Sequence, residues 1–181
     1  MTDDEIYKQF LSGDESAFAG LMERFGDALT LYIYGYTHDF GDAEDLMIEV
    51  FSYLVVKKPK IKTGALKAYL YKSARHMALR SVAKSRRYFA IELEQLEELS
   101  DEKALVDALV DTKERHRILH LSMAELSPNY REAIYLVYFE GMSHKETAAV
   151  MGKGEKQVAD LIHRGKKSLK TKLEQEGITH A

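Results

Sequence analysis

The 181-residue chain has no cysteine and only two prolines. Without cysteine there is neither a disulfide framework nor a thiolate metal site, and redox chemistry gives no guide to compartment. So few prolines, with frequent Ala, Leu, Lys and Glu, favour helix throughout. No apolar run reaches the roughly 18 residues a membrane span requires, and the Met-Thr-Asp-Asp-Glu start is acidic where a signal peptide is basic. No strand pattern and no fixed-period repeat is evident. The expectation is a soluble, cytoplasmic, all-α protein of one or two domains with no membrane insertion. Net charge is also slight, at -3, and by itself suggests no polyanionic partner.

The distribution of charge says more. Residues 1–56 carry twelve acids against Lys8 and Arg24, whereas 57–87 carry eleven Lys or Arg and no acid. The stretch 88–112 holds eight acids against Lys103, and from Lys113 onward twelve bases outnumber nine acids. Two basic blocks separated by an acidic one suit a protein that touches polyanion at two places.

Apolar spacing predicts a helix over Asp3–Leu11, broken by Ser12-Gly13-Asp14, and a longer one from about Glu15 to Tyr36. The stripe Phe18, Leu21, Met22, Phe25, Leu29, Tyr32, Ile33 and Tyr36 reads as core rather than a base-stacking platform. After a turn at His38-Asp39-Phe40-Gly41, a third helix starts at Asp42. Asp42, Glu44 and Asp45 then occupy its first turn, where carboxylates favour the positive end of the helix dipole. Leu46, Val50, Tyr53 and Leu54 are expected to face inward. Asp42, Asp45 and Glu49 share an outer face with three readings open: a solvated helix, a Mg²⁺-holding cluster as in helical phosphohydrolases, or, with Phe51, a dock for a basic helical partner.

Lys57-Lys58-Pro59-Lys60-Ile61-Lys62-Thr63-Gly64 reads as a basic loop. A fourth helix, about Ala65 to Arg87, is expected to bury Leu66, Leu70, Met77 and Val82. It exposes Lys67, Lys72, Arg75, Arg80, Lys84, Arg86 and Arg87, with Tyr69 and Tyr71 among them. Phosphate contacts give salt-sensitive affinity, and an aromatic ring can stack on an unpaired base. Tyr88 to about Glu102 loses periodicity and reads as an acidic linker. Helical pattern returns near Lys103 with Leu105, Leu109, Ile118 and Leu119. His116 and His120 are four apart but lack a third ligand, so they read as a surface pair.

Ser127-Pro128 then starts a helix, Asn129–Phe139, that buries Ala133, Ile134 and Val137. Gly141 ends it. Ser143 with Glu146 forms a capping box, the small Ala148 and Ala149 admit a neighbouring helix, and Gly152 and Gly154 permit a sharp turn. Val158, Ile162, Leu169 and Leu173 recur at helical spacing beyond it, with Lys156, Gln157, Arg164, Lys167 and Lys170 around the rest of the surface. This is a helix-turn-helix pattern or an ordinary helical hairpin with a basic face.

Four segments in order resemble the extracytoplasmic-function (ECF) group of bacterial sigma-70 factors. They are Gly41-Asp-Ala-Glu-Asp-Leu-Met-Ile-Glu-Val-Phe-Ser-Tyr-Leu, Ala68-Tyr-Leu-Tyr-Lys-Ser-Ala-Arg-His-Met-Ala-Leu, Leu126-Ser-Pro-Asn-Tyr-Arg-Glu-Ala-Ile, and Glu140-Gly-Met-Ser-His-Lys-Glu-Thr-Ala with Leu161-Ile-His-Arg-Gly-Lys-Lys-Ser-Leu behind it. The resemblance implies a four-helix region 2 type domain over 1–87, an acidic linker over 88–102 and a helix-turn-helix region 4 type domain over 103–181. It implies a non-enzymatic subunit, with no metal or cofactor, that binds core RNA polymerase, recognises and melts promoter DNA, and directs initiation. A regulator of the same fold that does not direct initiation is the alternative.

Carried over by position, Asp42, Glu44, Asp45, Glu49 and Phe51 meet the β′ clamp helices. The downstream promoter element and melting fall to Lys57, Lys58, Lys60, Lys62, Tyr69, Tyr71, Lys72, Arg75, His76, Arg80, Lys84, Arg86 and Arg87. Ser143, Lys145, Lys156, Gln157, Asp160, His163, Arg164 and Lys167 meet the upstream element, with the first helices of that domain also at the β flap. An anti-sigma factor is the further partner implied. The chain departs from the family pattern at Tyr69 (usually Trp), His76 and Arg80 (Asn and Asp), and Gln157 to Leu161 (a Thr-Val-Lys-Ser-Arg-like run).

Overall fold

A computed structural model describes residues 1–92 and 125–175, and the chain divides into two compact units, Met1–Asp101 and Glu102–Ala181. The described residues form seven α-helices and one π-helical turn, with no strand. The linker from residue 93, the helical pattern from Lys103 and the His116–His120 pair lie outside the described residues.

The first unit holds α1 (Asp3–Leu11), α2 (Glu15–Thr37), α3 (Phe40–Lys57) and α4 (Leu66–Glu92). Helix α2 packs against each of the other three, and its Leu21, Leu29 and Ile33 are completely buried. Side chains close the helix starts. Thr2 and Glu5 form a capping box, the Asp14 carboxylate accepts from Ser16 N–H, and Asp39 accepts from Asp42 N–H; each such cap stabilises by about 1 kcal/mol. The Asp39 cap corrects the expected start of the third helix. Phe40 and Gly41 are helical rather than part of a turn, so of the three acids only Asp42 lies in the first turn. Helix α4 runs five residues past Arg87, because nothing in Leu66–Glu92 is Pro or Gly to stop it.

Inward and outward faces of α3 also differ from expectation. Tyr53 is 44% exposed, while Phe51 is 1% exposed and meets the Phe18 ring edge-on at 5.9 Å. The inward arc is Ala43, Val50, Phe51 and Leu54.

The second unit holds α5 (Pro128–Ile134), a π turn (Tyr135–Phe139), α6 (His144–Met151) and α7 (Glu155–Gln175). The sequence predicts one regular helix to Phe139. Its last turn is instead widened, with Glu140 N–H donating to the Tyr135 carbonyl. The inward position there is Leu136, fully buried and three residues after Ala133, rather than Val137, which is half-buried. Helices α5 and α7 are in tight contact at Gly165, where an added Cβ would lie 2.8 Å from Ile134 Cδ1 and 3.1 Å from Tyr130 Cβ. Of the two small residues in α6, Ala148 is buried and Ala149 is exposed.

Thr147 is fully buried in α6, and its hydroxyl has no hydrogen-bond partner among the described residues. Leaving a hydroxyl unpaired in the interior costs about 1–3 kcal/mol. Thr147→Val is therefore expected to hold or raise stability by about 1 kcal/mol, measured by urea unfolding. A fall of that size would mean the hydroxyl is satisfied.

Candidate nucleic-acid and partner interfaces

Helix α3 presents two adjoining exposed flanks. Asp42, Asp45, Glu49, Tyr53 and Val56 follow one another at steps of three and four, and Glu44, Ile48 and Val55 run beside them. All eight are exposed, with Val56 at 75% and Ile48 at 51%. Four carboxylates lie among the exposed apolar side chains Ile48, Tyr53, Val55 and Val56, and neighbouring exposed apolar side chains rimmed by charge mark contacts with other molecules. Ile48, Val55 and Val56 were not among the expected docking residues. The signal for them lay in α3 being apolar on more of its circumference than one core stripe needs. Phe51 leaves the docking set, since it is core. Among the described residues no three acidic or histidine side chains are grouped to hold a metal ion.

Helix α4 carries the positive counterpart. Lys72, His76, Arg80 and Lys84 are all exposed and recur every four residues, forming one ladder. Lys57, Lys58, Lys60, Lys62 and Arg86 are exposed too, whereas Arg75 is half-buried. The side chain of Arg87 lies outside those described. Tyr71 is fully buried beneath the ammonium of Lys67 and beside Tyr32, so it packs the core and cannot support an unstacked base. Tyr69 remains half-exposed, its hydroxyl raised above its ordinary pKa by burial. The two charged faces meet along a groove lined by Leu46 and Glu49 of α3 and by Met77, Arg80, Ser81, Ala83 and Lys84 of α4.

In the second unit the starts of α6 and α7 are closed by their own side chains. Ser143 N–H and hydroxyl both donate to a Glu146 carboxylate oxygen at 2.8 Å, and Glu146 N–H donates to Ser143 Oγ. Gly152 closes α6 at φ 64°, a left-handed position. Gly154 N–H donates to Gln157 Oε1 at 2.9 Å, so Gln157 folds back on its own helix start. Ser143 and Gln157 thus carry structural hydrogen bonds besides the DNA role expected of them. Lys145, Lys156, Asp160, His163, Arg164 and Lys167 are exposed. A shallow groove on α7 is lined by Lys153, Gln157, Asp160, Leu161 and Arg164; Lys153 was not expected there, because it lies in the turn rather than on the helix.

This two-unit architecture agrees with comparison to known proteins. Residues 21–88 match the model for sigma-70 region 2, and residues 116–169 match that for sigma-70 region 4. The chain belongs to the sigma-70 family. Sigma factors are DNA-binding transcription initiation factors that direct RNA polymerase to promoters, and the similar chains are those of the ECF group. The ECF RNA polymerase sigma factor BldN of Streptomyces coelicolor is 27% identical over 173 residues, covering 91% of this chain and 63% of that protein. The ECF RNA polymerase sigma factor SigM of Bacillus subtilis is 27% identical over 171 residues, covering 94% of each. The chain therefore spans under two thirds of one relative and nearly all of another. The fold is shared with sigma factor RpoE of Bartonella quintana, solved in complex with the anti-sigma factor NepR, at TM-score 0.69 and 20% identity over 87% of this chain and 96% of that one. In sigma-70 terms α3 and all but the last turn of α4 lie within region 2, and α5 to α7 fall largely within region 4. Helix α1 lies outside both matched segments. No described helix is long and apolar enough to cross a membrane.

Proposed function

We propose that the chain is a dissociable, cytoplasmic subunit of RNA polymerase that directs promoter-specific initiation and carries no catalytic chemistry or cofactor of its own. Asp42, Glu44, Asp45 and Glu49, with Ile48, Val55 and Val56, dock on the β′ clamp helices. The loop Lys57 to Gly64 and the ladder Lys72, His76, Arg80 and Lys84 then hold the downstream element while the duplex opens, with Tyr69 at hand for an unstacked base. Helix α7 and the turn before it meet the upstream element, and the first helices of that unit meet the β flap. The observation carrying this reading is the pairing of the acidic, apolar α3 face with the α4 cation ladder, in a chain with both sigma regions. Reconstituted transcription tests it: core polymerase plus this chain is expected to give discrete, promoter-dependent starts on genomic DNA. Random starts would instead support a regulator that does not direct initiation.

Neutralising Lys60, Lys62, Lys72 and Arg80 together is expected to flatten the salt dependence of promoter binding, by about one unit of slope for each phosphate no longer neutralised. An unchanged slope would remove this face from the DNA. An anti-sigma factor is the further partner, a reading supported by the NepR complex of the Bartonella quintana protein. Co-purification from the native host tests it, the expected companion being a protein whose addition abolishes the transcription just described.

A further inference from the structure

Helix α1 touches the basic loop at both of its ends. The Tyr7 hydroxyl donates to the Pro59 carbonyl at 2.7 Å, and the Asp4 carboxylate accepts from Gly64 N–H at 2.5 Å. The Lys58 ammonium lies over the Phe10 ring, 5.5 Å from its centroid. Positions 4, 7 and 10 are three apart, so one stripe of α1 makes all three contacts. They sit beside the corners of the loop, Lys58 at φ 42° and Gly64 at φ 80°. Between the corners, Lys60, Lys62 and Thr63 are exposed.

The tether is itself firmly held. Ile6, Tyr7 and Phe10 are buried, Thr2 and Glu5 cap the helix, and the Arg24 guanidinium of α2 pairs with Asp3. Burial pushes the Tyr7 phenol up to about 12, so it stays protonated and remains a donor near neutral pH. The region 2 match begins at residue 21, leaving Asp4, Tyr7 and Phe10 outside it.

We propose that Asp4 and Tyr7 are positioning residues for promoter opening: they hold the loop in the shape that presents Lys60 and Lys62 to DNA. This rests on the reading that the loop meets promoter DNA. A free loop loses backbone freedom when it orders on a ligand, and a loop held beforehand has less to lose.

The test uses core polymerase with the full chain, on a promoter taken from the mapped transcript starts. Tyr7→Phe and Asp4→Ala are each expected to slow opening by about two- to tenfold, the worth of one hydrogen bond, with core polymerase affinity unchanged. In the free chain, Asp4→Ala is expected to speed amide exchange at Gly64. Asp4→Asn keeps the acceptor and is expected to restore opening. Normal opening in Tyr7→Phe and Asp4→Ala, alongside slow opening in the Lys60→Ala/Lys62→Ala double variant, overturns the tether and leaves the loop on DNA. Faster opening in both Asp4 variants marks a repulsive charge and overturns the tether as well. Normal opening in the lysine double variant overturns the DNA reading beneath it.

Discussion

Reversing two charges on α3, Asp45→Lys with Glu49→Lys, is expected to weaken binding to core polymerase by about a hundredfold. Each reversal replaces an attraction to a basic partner by repulsion. At about 1.4 kcal/mol apiece, a modest figure for charges at an interface, the pair reaches two decades. Both side chains are exposed, so the fold should not suffer, since surface changes away from special features usually stay within about 0.5 kcal/mol. Glu15→Lys, an exposed acid at the start of α2, is the control and is expected to leave affinity unchanged. Equal affinity in the double variant would remove α3 as the docking face. Phe51→Ala is expected to behave differently. Its ring is buried against Phe18, so truncation should destabilise the first unit by about 3–5 kcal/mol, and any loss of docking should follow from unfolding.

The second large effect is expected at Gly165. A methyl group there would meet Ile134 Cδ1 at 2.8 Å and Tyr130 Cβ at 3.1 Å. Ile134 Cδ1 is the end of a flexible chain and can yield, whereas Tyr130 Cβ is fixed to its helix. For Gly165→Ala the clash is partly offset by about 1 kcal/mol of improved helix propensity, so the net change should be small. Gly165→Leu has no such compensation, because four carbons must fit where the helices nearly touch. It is expected to cost about 3 kcal/mol or more, seen as a lowered unfolding transition of the second unit. If binding to core polymerase through α3 survives in that variant while upstream promoter binding vanishes, the two units act as assigned. A Gly165→Leu protein as stable as its parent would show that α5 and α7 can separate freely.

Much of this was legible in the sequence where the determinants are local. The Ser143–Glu146 cap, the Gly152 turn and the bounds of α1 follow from residues three or four apart, and they stand as expected. The charged residues offered to DNA or polymerase are mostly exposed, because nothing but solvation decides their placement. The aromatic assignments fared worse. Helix α3 carries apolar side chains on most of its circumference, so periodicity alone could not choose between Phe51 and Tyr53, and packing on α2 chose Phe51. Tyr71 followed the same course beside Tyr32. A 3.6-residue template could not register the π turn at Tyr135–Phe139. The Tyr7–Pro59 and Asp4–Gly64 bonds join residues more than fifty positions apart, and no local pattern announces them.

The most direct measurement is a titration of purified core RNA polymerase with the labelled chain, read by fluorescence anisotropy. Saturable one-to-one binding is expected, competed by unlabelled chain and lost in the Asp45→Lys/Glu49→Lys variant. Absence of binding, or binding that the variant retains in full, would contradict the docking assignment.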